Sequence, residues 1–388
     1  MSRAQRAVTR YSTRTAFDPR PNRLTRALAE RRSRGEPVID LTVSNPTRAG
    51  LPYDGEAIRR ALADPRALRY TPAPFGLPEA RAAVAAELDV DPRRVVLTAS
   101  SSEAYGWLFK LLCDPGDVIL APRPSYPLFE QLAAFEGATL DPYALAYDGA
   151  WHLDATQLRV GPRTRGVLVV SPNNPTGQRL KRDELDALEA LGLPIIADEV
   201  FAAYPLHPAP GAVSAQAATR VPTFVLGGLS KLAGLPQLKA GWITLAGPDD
   251  AVDEALARLE LIADTWLSVG APVQHALPAL LDAARPTTAA IAARVRDNLA
   301  ALEAAVRGSS ATVLRAEGGW YAIVEVPRIV DDEQWALWLL ERDGVRVQPG
   351  FFYDFARDGH LVLSLLTPPA AFADGVARLV DRVAAACP

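Results

Sequence analysis

With 388 residues, 49% of them hydrophobic, and a formal net charge of −4, the chain is long enough for two domains, or for one large domain with an added lobe around a sizeable core. That balance excludes the global basic field of a nucleic-acid or anionic-membrane binder, and no run reaches the apolar length needed to span a bilayer. Two cysteines, Cys113 and Cys387, and four scattered histidines, His152, His207, His275 and His360, form neither a disulfide framework nor a metal-ligand spacing, so a reducing cytoplasm and no metal are expected.

Residues 1–34 carry ten arginines, and the first seventeen residues contain no carboxylate. An organelle transit peptide has this look, and so does an arm lying on a partner subunit, while the absence of an apolar stretch argues against a secretory signal. We expect an arm over 1–34 that ends in a short amphipathic helix from Arg23 to Arg34. Val38 to Pro46 reads as a strand entering a turn that carries Ser44 and Asn45. Tyr70 lies in the loop before Gly76-Leu77-Pro78.

Val95-Val96-Leu97-Thr98 followed by Ala99 to Ala104 reads as strand, small polar turn and helix start. Ser101 and Ser102 would stand there beside free backbone N–H groups and a helix dipole, a setting for an anion. A serine N-cap explains the same residues without one. Asp117 to Pro122 is the next strand, and Tyr126 follows in Pro-Ser-Tyr-Pro. Gly166 to Val170 runs into Ser171-Pro172-Asn173-Asn174-Pro175-Thr176-Gly177, and Leu193 to Ala197 runs into Asp198-Glu199.

Pro222 to Leu226 ends in Gly227-Gly228-Leu229-Ser230-Lys231, with Lys239 eight residues on. An amine at the C-terminal end of a buried strand stands where open α/β sheets bind ligands, and it can form a Schiff base with a carbonyl. Taken singly, Asn174, Asp198 and Lys231 read as turn or cap residues; together they mark one sheet edge. Ala240 to Leu245 is a further strand and 249–268 a long helix. From about Thr287 the pattern turns α+β: a helix from Ala289 to Arg307, a strand from Gly319 to Val324, a helix from Trp335 to Arg342, strands at Gly344–Val347 and His360–Leu366, and a last helix from Phe372 to Ala386. Strand and helix alternate through 90–275, which predicts a mostly parallel, helix-covered sheet.

Asn-Asn-Pro-Thr-Gly at 173–177, Asp-Glu-Val-Phe at 198–201, and Ser-Lys at 230–231 with Gly-Trp at 241–242 resemble, in order and spacing, the fold-type I aminotransferases that use pyridoxal 5′-phosphate. The similarity runs from about residue 35 to the C-terminus. It implies an α/β fold with a seven-stranded-type large-domain sheet over 49–275 and a smaller α+β domain from 35–48 and 276–388. It also implies a cofactor joined to Lys231 as an aldimine, with Asp198 at its ring nitrogen, Asn174 at its phenolic oxygen and Tyr126 stacked on its face. Ser101, Ser102, Ser230 and Lys239 would surround its phosphate, with Tyr70 of a neighbouring subunit, so a homodimer is implied. Ser44 and Asn45 would border the substrate.

The reaction implied is transfer of an amino group from an amino acid or amine to a 2-oxo acid by a ping-pong route. A β-eliminating lyase or a decarboxylase is the alternative on the same fold, and a non-catalytic sensor a third, since fold does not set the reaction. The chain departs from its relatives where Ser44 and Ser100 replace glycine, Phe201 replaces tyrosine, Gly228 replaces serine and Lys239 replaces arginine. In Leu361-Val362-Leu363-Ser364, Val362 stands where relatives carry the arginine that forks the substrate carboxylate. Either another cation such as Arg346 does that work, or the substrate is not an ordinary α-amino acid.

Overall fold

The computed structural model describes residues 11–386; the first ten residues of the expected arm, and Cys387, lie outside them. Short runs rich in Val, Ile and Leu become strands Val95–Thr98 (β1), Val118–Arg123 (β2), Thr139–Tyr147 (β3), Trp151–Leu153 (β4), Thr164–Val170 (β5), Ile195–Asp198 (β6), Thr223–Gly228 (β7) and Gly241–Ala246 (β8). They form one sheet in the order β1-β8-β7-β6-β5-β2-β3-β4. Strands β7, β6, β5, β2 and β3 are parallel, and β8 is antiparallel to both of its neighbours. The eighth strand, β4, is the one beyond the expected seven; it folds back on β3 as a hairpin at the sheet edge.

Helices cover both faces, which is why the central strands read as continuous apolar runs: Val167 to Val170, Ile195 to Ala197 and Thr223 to Leu226 are all buried. Each fully buried Ile or Leu there contributes about 1.5–3 kcal/mol. Helix Ser101–Leu112 (α1) begins at Ser100, whose hydroxyl accepts the Glu103 N–H at 3.2 Å. It lays Tyr105, Leu108 and Phe109 into the core beneath the sheet. Helix Asp249–Trp266 (α2) packs Val252, Ala255, Leu259 and Ala263 into the same core.

Helix Ala271–Ala305 (α3) is longer than the sequence suggests. Pro278 and Pro286 lie inside it, and an interior proline costs a helix about 3 kcal/mol, so the sequence reads as a helix only from Ala289. A buried stripe that includes Val273, Leu277, Leu280, Ile291, Val295 and Leu302 offsets that cost and carries the helix through. It runs unbroken across the expected domain boundary at 275/276.

The C-terminal layer is an antiparallel sheet of Thr312–Leu314 (β9), Tyr321–Glu325 (β10), Gln348–Pro349 (β11) and His360–Ser364 (β12) in the order β9-β10-β12-β11. Its core gathers Trp320, Trp335, Phe372 and Leu379. Ile39–Asp40 pairs in parallel with Val345–Arg346, which ties the segment near residue 40 to this layer.

Candidate active site

The register of three neighbouring parallel strands builds the site. Val170, Asp198 and Leu226 are mutual partners across β5, β6 and β7, so the segments carrying Asn174, Asp198 and Lys231 leave the sheet at one level. On the other side of β7, Gly228 pairs with Gly241, and Gly241 pairs with Thr98, which brings the start of α1 to the same edge. Gly227 is required by close packing, since a Cβ there would overlap the Trp242 indole of β8.

These ends enclose a cavity of about 340 Å³ lined by Ser44, Ser101, Ser102, Tyr126, Asn174, Asp198, Ser230, Lys231 and Lys239, with Tyr105, Phe201 and Tyr321. Its size lies within the range of small-molecule sites. Nine of the expected site residues therefore meet in one place. Ser100 takes the capping role, which leaves the Ser101 and Ser102 side chains without that duty. Lys239 adopts a left-handed backbone with φ 51°, a conformation that is uncommon outside glycine and worth attention at a site.

Asp198 is buried. One carboxylate oxygen accepts the Val200 N–H at 3.1 Å and the other accepts the Tyr105 hydroxyl at 2.8 Å. Burial pushes its pKa up, against the pull of those two donors and of Lys231. Burial likewise holds the Lys231 amine below the usual lysine range, with Asp198 opposing. The Lys231 Nζ sits 5.2 Å from the Trp320 ring centroid and 5.6 Å from that of Phe201, two rings packed edge to face at 5.3 Å. Those faces favour the cationic amine without supplying a hydrogen-bond acceptor. Tyr204 holds the lysine backbone by donating to the Lys231 carbonyl at 2.6 Å. Asn174 is buried, and its Oδ1 has no hydrogen-bond partner among the described residues.

Three expected residues lie elsewhere. Arg346 is paired with Asp40 at 3.0 Å, because its strand aligns with Ile39–Asp40; it borders a separate small cleft beside Asn22 and Leu28. The expectation that it substitutes for the lost arginine is therefore corrected. Asn45 caps a short turn through the Thr47 N–H. Tyr70 is 82% exposed and borders another cleft with Gln274 and His275. Val362 is fully buried within β12, opposite Ile323 and Gln348.

Sequence reasoning missed Tyr105 and Tyr204. Tyr105 reads as one more apolar position of α1, and nothing around it signals a hydroxyl aimed at Asp198. Tyr204 lies six residues past Asp198, in irregular chain with no periodicity to place it. Among the described residues, no group of His, Cys, Asp and Glu is arranged to hold a metal ion, and no helix is long and apolar enough to cross a membrane.

Comparison with known proteins gives a coherent answer. The pattern that defines the family described as aminotransferase class I and II matches residues 36–370. An aspartate/prephenate aminotransferase of Thermus thermophilus is 28% identical over 364 residues, covering 87% of this chain and 89% of that protein. A nicotianamine aminotransferase of rice is 30% identical over 226 residues, and there the match spans 54% of this chain and 45% of the relative. Among solved structures, an alanine aminotransferase from Pyrococcus furiosus superposes with a TM-score of 0.86 at 22% identity, over 97% of this chain and 100% of that one. That likeness establishes the fold: an α/β protein with a large, mostly parallel sheet and a smaller antiparallel layer.

Proposed function

The chain belongs to the class I and II aminotransferases, a family dependent on pyridoxal 5′-phosphate, and from that membership we propose that its strand-end cavity binds this cofactor and moves amino groups from an amino acid or amine to a 2-oxo acid. The residues fit the group. Asn174 lines the cavity with its amide oxygen unpartnered, so the amide is not tied to the fold and can turn its NH2 toward an acceptor on the group; Asp198 is a buried carboxylate bordering the cavity with a lysine as its nearest counter-charge. A buried anion and a buried amine facing one cavity call for a ligand with its own polar atoms. The meeting of Lys231, Asp198 and Asn174 in one cavity is the observation that carries the proposal.

When bound, the cofactor supplies a carbonyl to carry the amine and an electron sink for the substrate Cα. Asp198 would hold a proton at the ring nitrogen, and the Asn174 NH2 would donate to the phenolic oxygen. The Tyr126 ring covers one face. Ser101, Ser102 and Ser230 grip the phosphate by hydrogen bonds and Lys239 grips it as a point charge without the arginine fork. The Lys231 amine, its basicity lowered by burial, would hold the cofactor carbonyl and is placed to move a proton at the substrate Cα. Phe201 offers no hydroxyl, so Asn174 would act there without the tyrosine that relatives carry.

A second copy of this chain would bring Tyr70, exposed here, to the phosphate edge, and we propose a homodimer on that basis. Cysteine usage favours the cytoplasm as its location. The substrate carboxylate, where one is present, is met by a group other than residue 362. The test is to load the protein with pyridoxal 5′-phosphate and offer it single amino donors. The expected result is one equivalent of the matching oxo product together with the aminated cofactor. Release of ammonia with a keto acid, and no aminated cofactor, would overturn transamination in favour of elimination.

A further inference from the structure

Asp198 has a partner that no strand-end motif accounts for. Tyr105 projects from the second turn of α1, is 2% exposed, and packs edge-on against Phe129 with centroids 5.2 Å apart. Its hydroxyl makes one hydrogen bond among the described residues, to Asp198 Oδ2 at 2.8 Å. The other carboxylate oxygen takes the Val200 N–H at 3.1 Å. One donor per oxygen fixes the rotation of the carboxylate and leaves its remaining lone pairs for a group in the cavity, which both residues line.

We propose that Tyr105 is a positioning residue for the cofactor, holding Asp198 ionised and turned toward the ring nitrogen of a bound pyridine. The proposal rests on the reading that Asp198 meets that nitrogen, and it deepens that reading by assigning a task to a residue outside the strand-end motifs. The direction of the effect follows from the surroundings. Charged and titratable groups facing Asp198 are the Lys231 amine, the phenols of Tyr105 and Tyr126, and the neighbouring carboxyl of Glu199. Of these, Lys231 and Tyr105 favour the carboxylate form, while Glu199, when ionised, opposes it.

Burial and the adjacent carboxylate push the Tyr105 phenol far above its ordinary range. It therefore stays protonated and acts only as a donor at any working pH. A buried carboxylate that loses one of two such donors becomes easier to protonate. Its acid limb then moves toward neutrality, and the anion no longer has a fixed rotation. Tyr105→Phe keeps the ring against Phe129 and removes only the donor.

The experiment measures binding of pyridoxine 5′-phosphate, which carries the ring nitrogen and phosphate but no aldehyde, so the Lys231 linkage plays no part. The dissociation constant is followed from acid to neutral pH by quenching of tryptophan fluorescence, in wild type, Tyr105→Phe and Asp198→Asn. Asp198→Asn is expected to lack the acid limb that protonation of Asp198 produces in wild type. Tyr105→Phe is expected to keep that limb, displaced upward by about one pH unit. A merely structural role for Tyr105 would lower affinity evenly without moving the limb, and that result, or a profile overlaying wild type, overturns the proposal while leaving the cofactor reading intact. With the probe's own phosphate titration, at about pH 6, measured separately and subtracted, a wild-type limb that survives in Asp198→Asn overturns both.

Discussion

The wall that the large sheet gives the cavity and the wall that the small sheet gives it are built by different means. On the first, adjacent parallel strands end in register at Val170, Asp198 and Leu226; the last residue of β6 supplies Asp198, and the segments that follow β5 and β7 supply Asn174 and Lys231. On the second, the small sheet contributes Tyr321, and the neighbouring positions Val362, Ile323 and Val324 are packed into the interior. Arg346, the cation expected to serve this wall, is paired with Asp40 instead. Register can fix the chemistry of one wall while side-chain packing is free to erase a charged contact from the other. Asn174, Asp198 and Lys231 at the strand ends thus keep the residue types that the family resemblance leads one to expect, whereas Val362 on the other wall departs from them.

Substitutions on the first wall are expected to act on chemistry. Lys231→Ala removes the anchor and the proton carrier and should lower kcat by about 10⁴-fold, with far-ultraviolet circular dichroism unchanged; turnover near wild type would remove Lys231 from the mechanism. Asp198→Asn keeps the shape but loses the charge and one of the two acceptor oxygens that Val200 and Tyr105 occupy, and kcat should fall by about 10²- to 10³-fold, with looser cofactor binding. An Asp198→Asn enzyme of unchanged rate would mean that the carboxylate serves only the fold.

Substitutions on the second wall are expected to act on stability. Val362→Ala should cost about 2 kcal/mol in urea unfolding, because the side chain is fully buried between β10 and β11, and the KM for amino donors should hold. A tenfold rise in KM without loss of stability would put residue 362 back among the substrate contacts. Smallest of all is Arg346→Leu, which breaks a half-exposed pair with Asp40 and should cost less than about 1 kcal/mol. Donor KM should stay within about twofold of wild type; a larger change would return Arg346 to the site.

The same contrast explains what could be seen in the sequence. Buried parallel strands advertise themselves as short apolar runs, and polar residues at their ends can be counted off, so the sheet and nine of the expected site residues were legible. Helix α3 was half hidden, because Pro278 and Pro286 are local signals for a break and only the tertiary burial of Leu277, Leu280 and Ile291 overrides them. Strands β3 and β4 lacked a signal of their own, since β3 contains Asp141 and Pro142 and is exposed over most of its length. Tyr105 was illegible for a different reason: an aromatic on the buried face of a helix has the same pattern whether or not its hydroxyl has a partner. Arg346 could be noticed as a cation but not located, because its fate depends on a pairing with Asp40 more than three hundred residues away.

The most direct test of the account is where pyridoxal 5′-phosphate attaches. The loaded protein is reduced with borohydride, digested, and its peptides mapped by mass spectrometry. The account predicts one phosphopyridoxyl group per chain, on Lys231, and none on the Lys231→Ala protein. Attachment at Lys239 or at a surface lysine, or no stable attachment under reduction, would contradict the assignment of the strand-end cavity as the active site.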